Sequence, residues 1–367
     1  YLILIGLEIL AGVMRMLKSH TKNLTRIAAA IVLMVSAPAV ALSGAEEAAF
    51  ESEIGEARSK MMGQSAAALE HARNARKIAR GESSQAQKAR LTASWLEAEA
   101  LLRLNRSSEA SPILQSTLEE TEGSFHGSKL HADLLRSHGS LQARQGQFAN
   151  ALPSFKQAQE FYEALGENRS QAIVLLSIGS VYSGARKFDE ALMYFQKGLE
   201  AFPEDPALAL SGHNNMGNAL KGLGRYSEAE DAFELALNSA KAKGSPLLEA
   251  RILTNIAAVQ VSDGRAGEAK STASQAMTLA QEHGPGWARF VDGVLAQVEL
   301  VNGNLESAQM HIERTFDGEN LENTAAHFRD FHVTAAEIYT QAGHQDNSGL
   351  HKAALTRLNS KVAQLEG

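Results

Sequence analysis

Seven times along this chain a small residue is followed seven positions later by a turn residue and, five positions after that, by a second small residue. The first residues are Ala98, Gly139, Gly179, Gly217, Ala257, Ala296 and Ala336. Successive units lie 38 to 41 residues apart, while the offsets inside a unit stay constant. Fixed internal offsets with slack between units describe a short module repeated in a stack, each member burying its apolar face on its neighbours. A single-core catalytic domain has no reason to carry such a period.

The run from Ser211 to Ala240 displays the module best. Met216, Leu220 and Leu223 recur at helical spacing and give a first helix, A, an apolar face. Gly222 and Gly224 are expected to end it, and Ser227 with Glu228 to start a second helix, B. Ala229, Phe233, Ala236 and Leu237 form the apolar face of B. Gly217 and Ala229 are small because A and B cross there, and Phe233 and Phe195 fill the space beyond. Aromatic residues are only 6% of the chain, which suits closely packed helices rich in alanine. The stretches FPEDP (202–206) and HGPG (283–286) read as loops, and Ser65–Ile78 as a lone helix with Ala68, Ala72 and Ala75 on one face. Pro112 and Pro153 each follow the second small residue by two positions, so those B helices are expected to begin late or bend.

These units resemble the tetratricopeptide repeat. One carries Gly179, Tyr182, Phe188, Ala191, Phe195 and Pro203; the next carries Gly217, Gly224, Tyr226, Ala229, Phe233 and Ala236; a third has Gly139, Gly146, Phe148, Ala151, Phe155 and Ala158. The units at Ala257 and Ala296 keep Gly264 and Gly303 but lose the aromatics, and the last has Ser348 where alanine is expected. The resemblance covers about residues 55–357. It implies an all-α fold, a right-handed superhelical solenoid of about seven to eight stacked antiparallel helix pairs. Residues 42–82 read as N-terminal capping helices, 83–357 as the array and 358–367 as a C-terminal helix end. The period exceeds the family's usual 34, as in exported bacterial arrays that bind peptides or serve as sensors.

In this family helix A lines the concave face, where polar residues hold an extended peptide. The resemblance therefore marks Asn214, Asn215, Asn218, Lys221, Arg251, Asn255 and Arg136 as the candidate peptide-binding set. Asparagine offers a donor and an acceptor to a peptide backbone, and arginine can grip a carboxylate with two bonds. The adjoining unit presents Leu176, Ser177 and Ser180 instead. Asn215 and Asn255 bonding only to neighbouring repeats is the competing reading.

The first 41 residues read differently. From Met16, a basic stretch (Lys18, Lys22, Arg26), an apolar run (Ile27–Val35) and Ala39-Val40-Ala41 have the pattern of a secretory signal, with cleavage expected after Ala41; residues before Met16 read as an upstream extension. The expected location is periplasmic or secreted, with membrane attachment only through an uncleaved N-terminal segment or a part beyond Gly367. Removing those residues takes away four basic and one acidic residue from 35 and 42, leaving a net charge near −10. That balance argues against nucleic acid and anionic membrane surfaces as partners.

No catalytic constellation is legible. GNALKGLG (217–224) lacks the Lys-Ser/Thr of a phosphate loop, there is no G-x-S-x-G, and there is no cysteine. The 12 histidines lack zinc-ligand spacing and read as surface or groove residues, so neither a metal nor a cofactor is expected. The expectation is a non-catalytic module that binds a protein or peptide. The alternative is a sensory ectodomain, since such arrays resemble the N-terminal halves of bacterial membrane proteins ending in a diguanylate cyclase or histidine kinase.

Overall fold

The computed structural model describes residues 42–61 and 64–363. The signal-like segment lies outside the described residues. Among the described residues there are sixteen α-helices and no strand, so the fold is all-α, built from stacked helix pairs. No helix among them is long and apolar enough to cross a membrane. The chain divides into two compact units, 1–110 and 111–367.

In the first unit, α1 (Gly44–Lys60) packs on α2 (Ser65–Ile78), and α2 on α3 (Ser84–Arg103). A reciprocal cap at Ser43 and Glu46 starts α1: the Ser43 side chain accepts from the Glu46 N–H at 3.3 Å and the Ser43 N–H donates to Glu46 Oε2 at 2.8 Å. Ser65–Ile78 is the second helix of this N-terminal pair: α1 covers it, burying Phe50, Ile54 and Ala57 beside Ala68, Leu69 and Ala72. The Glu97 carboxylate, 2% exposed on α3, receives Arg73 Nε at 2.9 Å and Arg76 Nη1 at 3.2 Å from α2.

The helix α4 (Ser107–Ser124) carries the division between the units. Beyond it, A and B helices alternate: α5 (Lys129–Arg144), α6 (Phe148–Ala164), α7 (Asn168–Gly184), α8 (Phe188–Ala201), α9 (Pro206–Gly222), α10 (Tyr226–Ala242), α11 (Pro246–Ser262), α12 (Ala266–His283), α13 (Ala288–Val301), α14 (Leu305–Phe316), α15 (Arg329–Gln341) and α16 (Gln345–Ala363). Each A packs on its own B, each B on the next A, and successive A helices also touch one another directly.

The constant offsets have a geometric cause. All seven turn residues, Asn105, Gly146, Arg186, Gly224, Gly264, Gly303 and Gly343, have left-handed φ, between 59° and 80°. Each A helix ends two residues before this position, and the N–H of the residue after the turn bonds back to the carbonyl five residues upstream. Arg225 to Leu220 is 3.0 Å, and the equivalents Arg106–Leu101, Gln147–Gln142, Lys187–Tyr182, Arg265–Gln260, Asn304–Glu299 and His344–Tyr339 are 2.8 to 2.9 Å. This backbone lock serves carbonyls that the last helical turn leaves unpaired, and it leaves no length to vary. The second small residue, five positions on, is buried in every unit: Ala110, Ala151, Ala191, Ala229, Ala269 and Ala308 are 0% exposed and Ser348 1%. Ser348 is tolerated because its Oγ donates to the Ala336 carbonyl at 3.0 Å.

The first small residue answers to the side chain sixteen positions later. A Cβ on Gly139, Gly179 or Gly217 would lie 3.0, 2.6 or 2.7 Å from Phe155, Phe195 or Phe233. Where the ring is replaced by a smaller side chain, Ala273 or Ile312, the opposing residue is alanine, Ala257 or Ala296. Alanine with isoleucine at 296 and 312 roughly keeps the volume of glycine with phenylalanine, as close packing requires, whereas alanine at both 257 and 273 makes that crossing smaller.

Two local expectations are corrected. The B helix begins at Tyr226, with Arg225 at its cap and no side-chain cap bond, so Ser227 does not start it; Arg225 Nε instead bonds Glu228 at 2.7 Å. Gly222 and Gly224 end helix A as expected: Gly222 is the last residue of α9, and it also makes room for Phe188 of the preceding unit, whose Cζ would be 2.5 Å from a Cβ there. Pro112 and Pro153 sit inside α4 and α6, which begin at Ser107 and Phe148, so neither helix begins late. The loop at 202–206 ends in a helix start, Asp205 accepting from the N–H groups of Ala207 (2.7 Å) and Leu208 (3.2 Å) before Pro206 at the first helical position.

Candidate binding face

The A helices present a continuous polar line. Asn215 Nδ2 on α9 donates to Ser180 Oγ on α7 at 3.3 Å, Asn214 Nδ2 donates to Asn215 Oδ1 at 3.4 Å, and Asn255 Nδ2 on α11 donates to Asn214 Oδ1 at 2.9 Å. Asn218 Nδ2 donates to the Asn214 carbonyl at 3.0 Å. Three successive A helices are thus tied by amides that remain half-exposed. An open depression of about 220 Å³ adjoins the line, bounded by Ile173, Leu176, Ser180, Leu208, Ser211 and Asn215.

Past α11 the face becomes cationic and aromatic. The Arg251 guanidinium lies 4.6 Å from the Trp287 ring centroid, and Trp287 Nε1 donates to Thr254 Oγ1 at 3.0 Å. Trp287 and Phe290 lie against each other at a tilt of 34° with centroids 4.3 Å apart, and Phe290 meets the exposed His327 at 5.4 Å. Although His327 keeps an exposed surface, the protein crowded around it pushes its imidazole below its ordinary pKa, with the nearby Arg289 and Arg251 adding to the effect against the opposing Glu319.

Lys221, at the last turn of α9, reaches Asp330 at the first turn of α15, 109 residues on, with Nζ–Oδ2 at 2.8 Å. Crowding by protein works to raise the Asp330 pKa, but Lys221, backed by Arg186 and Arg329, more than offsets this and holds the carboxyl below its usual value. Asp330 is therefore an exposed carboxylate held among three cations.

The seven sequence candidates fall into groups. Asn214, Asn215, Asn218 and Asn255 come together, partly by bonding one another, as the competing reading requires of Asn215 and Asn255. Arg251 stands on the aromatic shelf and Lys221 in the Asp330 pair. Arg136 is half-buried on α5 beside Tyr162, whose Oη donates to Asp133 Oδ1 at 2.6 Å. Sequence reasoning missed Trp287, Phe290 and Asp330. Trp287 follows the HGPG loop directly, and a tryptophan in a chain with two was a usable signal. Asp330 is identifiable only from the path of the array.

The histidines also depart from expectation. His332 and His351 are buried, with Nδ1 atoms 2.7 Å apart among Phe316 and Tyr339. Burial drives both pKa values down to about 4, so the pair shares a single hydrogen bond between neutral rings and belongs to the core.

Residues 130–204 and 208–282 match the sequence model of the tetratricopeptide repeat. A kinesin light chain-related protein of Arabidopsis thaliana is 26% identical over 216 residues, 56% of this chain and 32% of that protein, so the chain spans about a third of that relative's length. Among solved structures, the apo quorum sensor NprR from B. thuringiensis gives a TM-score of 0.65 at 14% identity, covering 92% of this chain and 94% of that one. A Rap protein complexed with Competence and Sporulation Factor gives 0.62 at 16%, covering 87% and 99%. The Rap conjugation gene regulator of plasmid pLS20, in complex with the Phr* peptide, gives 0.59 at 10%, covering 86% and 96%.

Proposed function

Residues 130–204 and 208–282 of this chain are tetratricopeptide repeats, and on that premise we propose that the chain binds a peptide or an extended protein segment along its A-helix face, without catalysing a reaction. The observation that carries this reading is the unbroken line from Ser180 through Asn215, Asn214 and Asn255 to the Arg251–Trp287 shelf. Half-exposed amides supply donors and acceptors at backbone spacing, and the shelf supplies an anchor for an apolar or anionic side chain. Two structures sharing the fold are complexes with a factor or a peptide, which supports the class of partner. The signal-like segment at 16–41 supports a further proposal, that binding takes place in the periplasm or outside the cell.

The test is affinity capture with the wild-type chain and with Asn218→Ala combined with Arg251→Ala. Loss of a captured partner with unchanged circular dichroism and melting supports binding at this face. Loss of helicity in the double variant would assign these side chains to repeat packing instead.

A further inference from the structure

A second cluster lies away from the polar line, where α4 turns into α5. Glu122 is on the last turn of α4, His126 in the connecting turn and His131 on the first turn of α5. One ligating atom from each lies within 4.8 Å of the others. His131 is 0% exposed, and its Nε2 is a buried polar atom with no hydrogen-bond partner, 3.9 Å from Glu122 Oε1. A buried imidazole nitrogen left unpaired costs stability unless something occupies its direction. Phe161 closes the apolar side of the cluster, its ring 5.1 Å from His131 and 5.2 Å from His126, centroid to centroid.

We propose that Glu122, His126 and His131 form a binding site for a divalent transition cation of the zinc class. Two imidazoles and one carboxylate are a borderline-soft donor set, which suits zinc and its first-row neighbours better than magnesium or calcium. Tetrahedral zinc needs ligand atoms roughly 3.3 Å apart. His131 is fixed by its packing; Glu122 and His126 are exposed and reach that spacing by rotamer changes. Three protein ligands leave a fourth position for water or for a group from a partner.

The Gly127 N–H donates to His131 Nδ1 at 3.2 Å, which puts the imidazole proton on Nε2 before a cation binds. A cation at Nε2 displaces that single proton to Nδ1, with no net release from the neutral ring, so the Gly127 N–H must turn away. Gly127, at φ 70°, lies in the short turn between the helices. Sequence spacing missed this site because His126 and His131 are five apart, which separates them on one helix; here a turn and a helix start hold them on the same side.

Zn²⁺ binding to the metal-free full chain is measured by titration calorimetry, with Mg²⁺ as control and Co²⁺ absorption as a report on ligand type. The expected result is one equivalent of Zn²⁺ that weakens at least 10-fold in His126→Ala and in Glu122→Gln, with helicity unchanged because both residues are exposed. His131→Gln is expected to remove it outright, read only if the variant is folded. The wild-type chain taking up no Zn²⁺ at high micromolar concentration overturns the proposal. So does a site of unchanged affinity in His126→Ala, which would place the metal on other histidines.

Discussion

Gly217 faces Phe233 so closely that a Cβ at 217 would stand 2.7 Å from the ring's Cε1. The ring is 0% exposed and cannot withdraw toward solvent. Gly217→Ala is therefore expected to cost about 1–3 kcal/mol by overpacking. Phe233→Leu alone costs a comparable amount by leaving a void. Together they reproduce the volume logic of the alanine-bearing units, so the double variant is expected to lose less than the sum by at least about 0.5 kcal/mol. Urea unfolding of the four proteins measures it, and strict additivity would refute volume compensation.

Gly224 separates backbone from packing. Its φ is 74°, and a Cβ there meets nothing within 4 Å. Gly224→Ala should cost about 1 kcal/mol through the left-handed conformation alone. The same loss in Gly264→Ala, at φ 80° with the same open surroundings, would show that the repeated turn imposes a common conformational demand.

The His332–His351 pair sets a pH dependence. Burial holds both groups down to about 4 in the folded chain, against the ordinary imidazole value of 6.5 when unfolded. The unfolded state thus binds more protons between those values, and stability falls as pH drops through that window. The loss is on the order of 2–4 kcal/mol by pH 4, since the two sites are coupled and do not add fully. Denaturation midpoints from pH 7 to 4.5 measure it. Replacing both residues by Leu should flatten the curve in that range.

Lys221 and Asp330 are linked at 2.8 Å, with Asp330 56% exposed on its side chain. Asp330→Asn is expected to lower stability by no more than about 1 kcal/mol. The difference should vanish in about 0.5 M salt, where exposed charges are screened. A salt-independent loss would mean that Asp330 acts through packing.

The helix pairs were legible because their determinants are local: a left-handed turn, a small residue twelve positions from the first, and an aromatic four beyond that. The pairing of Gly217 with Phe233 rather than Ala with Ile or Ala was readable in principle from the same register. What escaped was whatever depends on the path between units. Ser180, Asn214 and Asn255 meet because three A helices run side by side, and Asp330 approaches Lys221 across 109 residues. The start of α10 was misplaced because Ser227 has the chemistry of a cap, yet the backbone lock at Gly224 already fixes where the helix begins. The histidines were dismissed together for lacking zinc-ligand spacing, which takes no account of His126 and His131 being brought together across a turn.

A stack of neighbour contacts behaves mechanically like springs in series, each joint adding its own give. The Lys221–Asp330 contact works in parallel with the joints between α9 and α15, so that part of the chain resists extension more than its packing alone would allow. A ligand carboxylate that drew Lys221 away from Asp330 would release that brace. Occupancy of the face would then register as a change in compliance along the array, felt at a distance from the bound atoms.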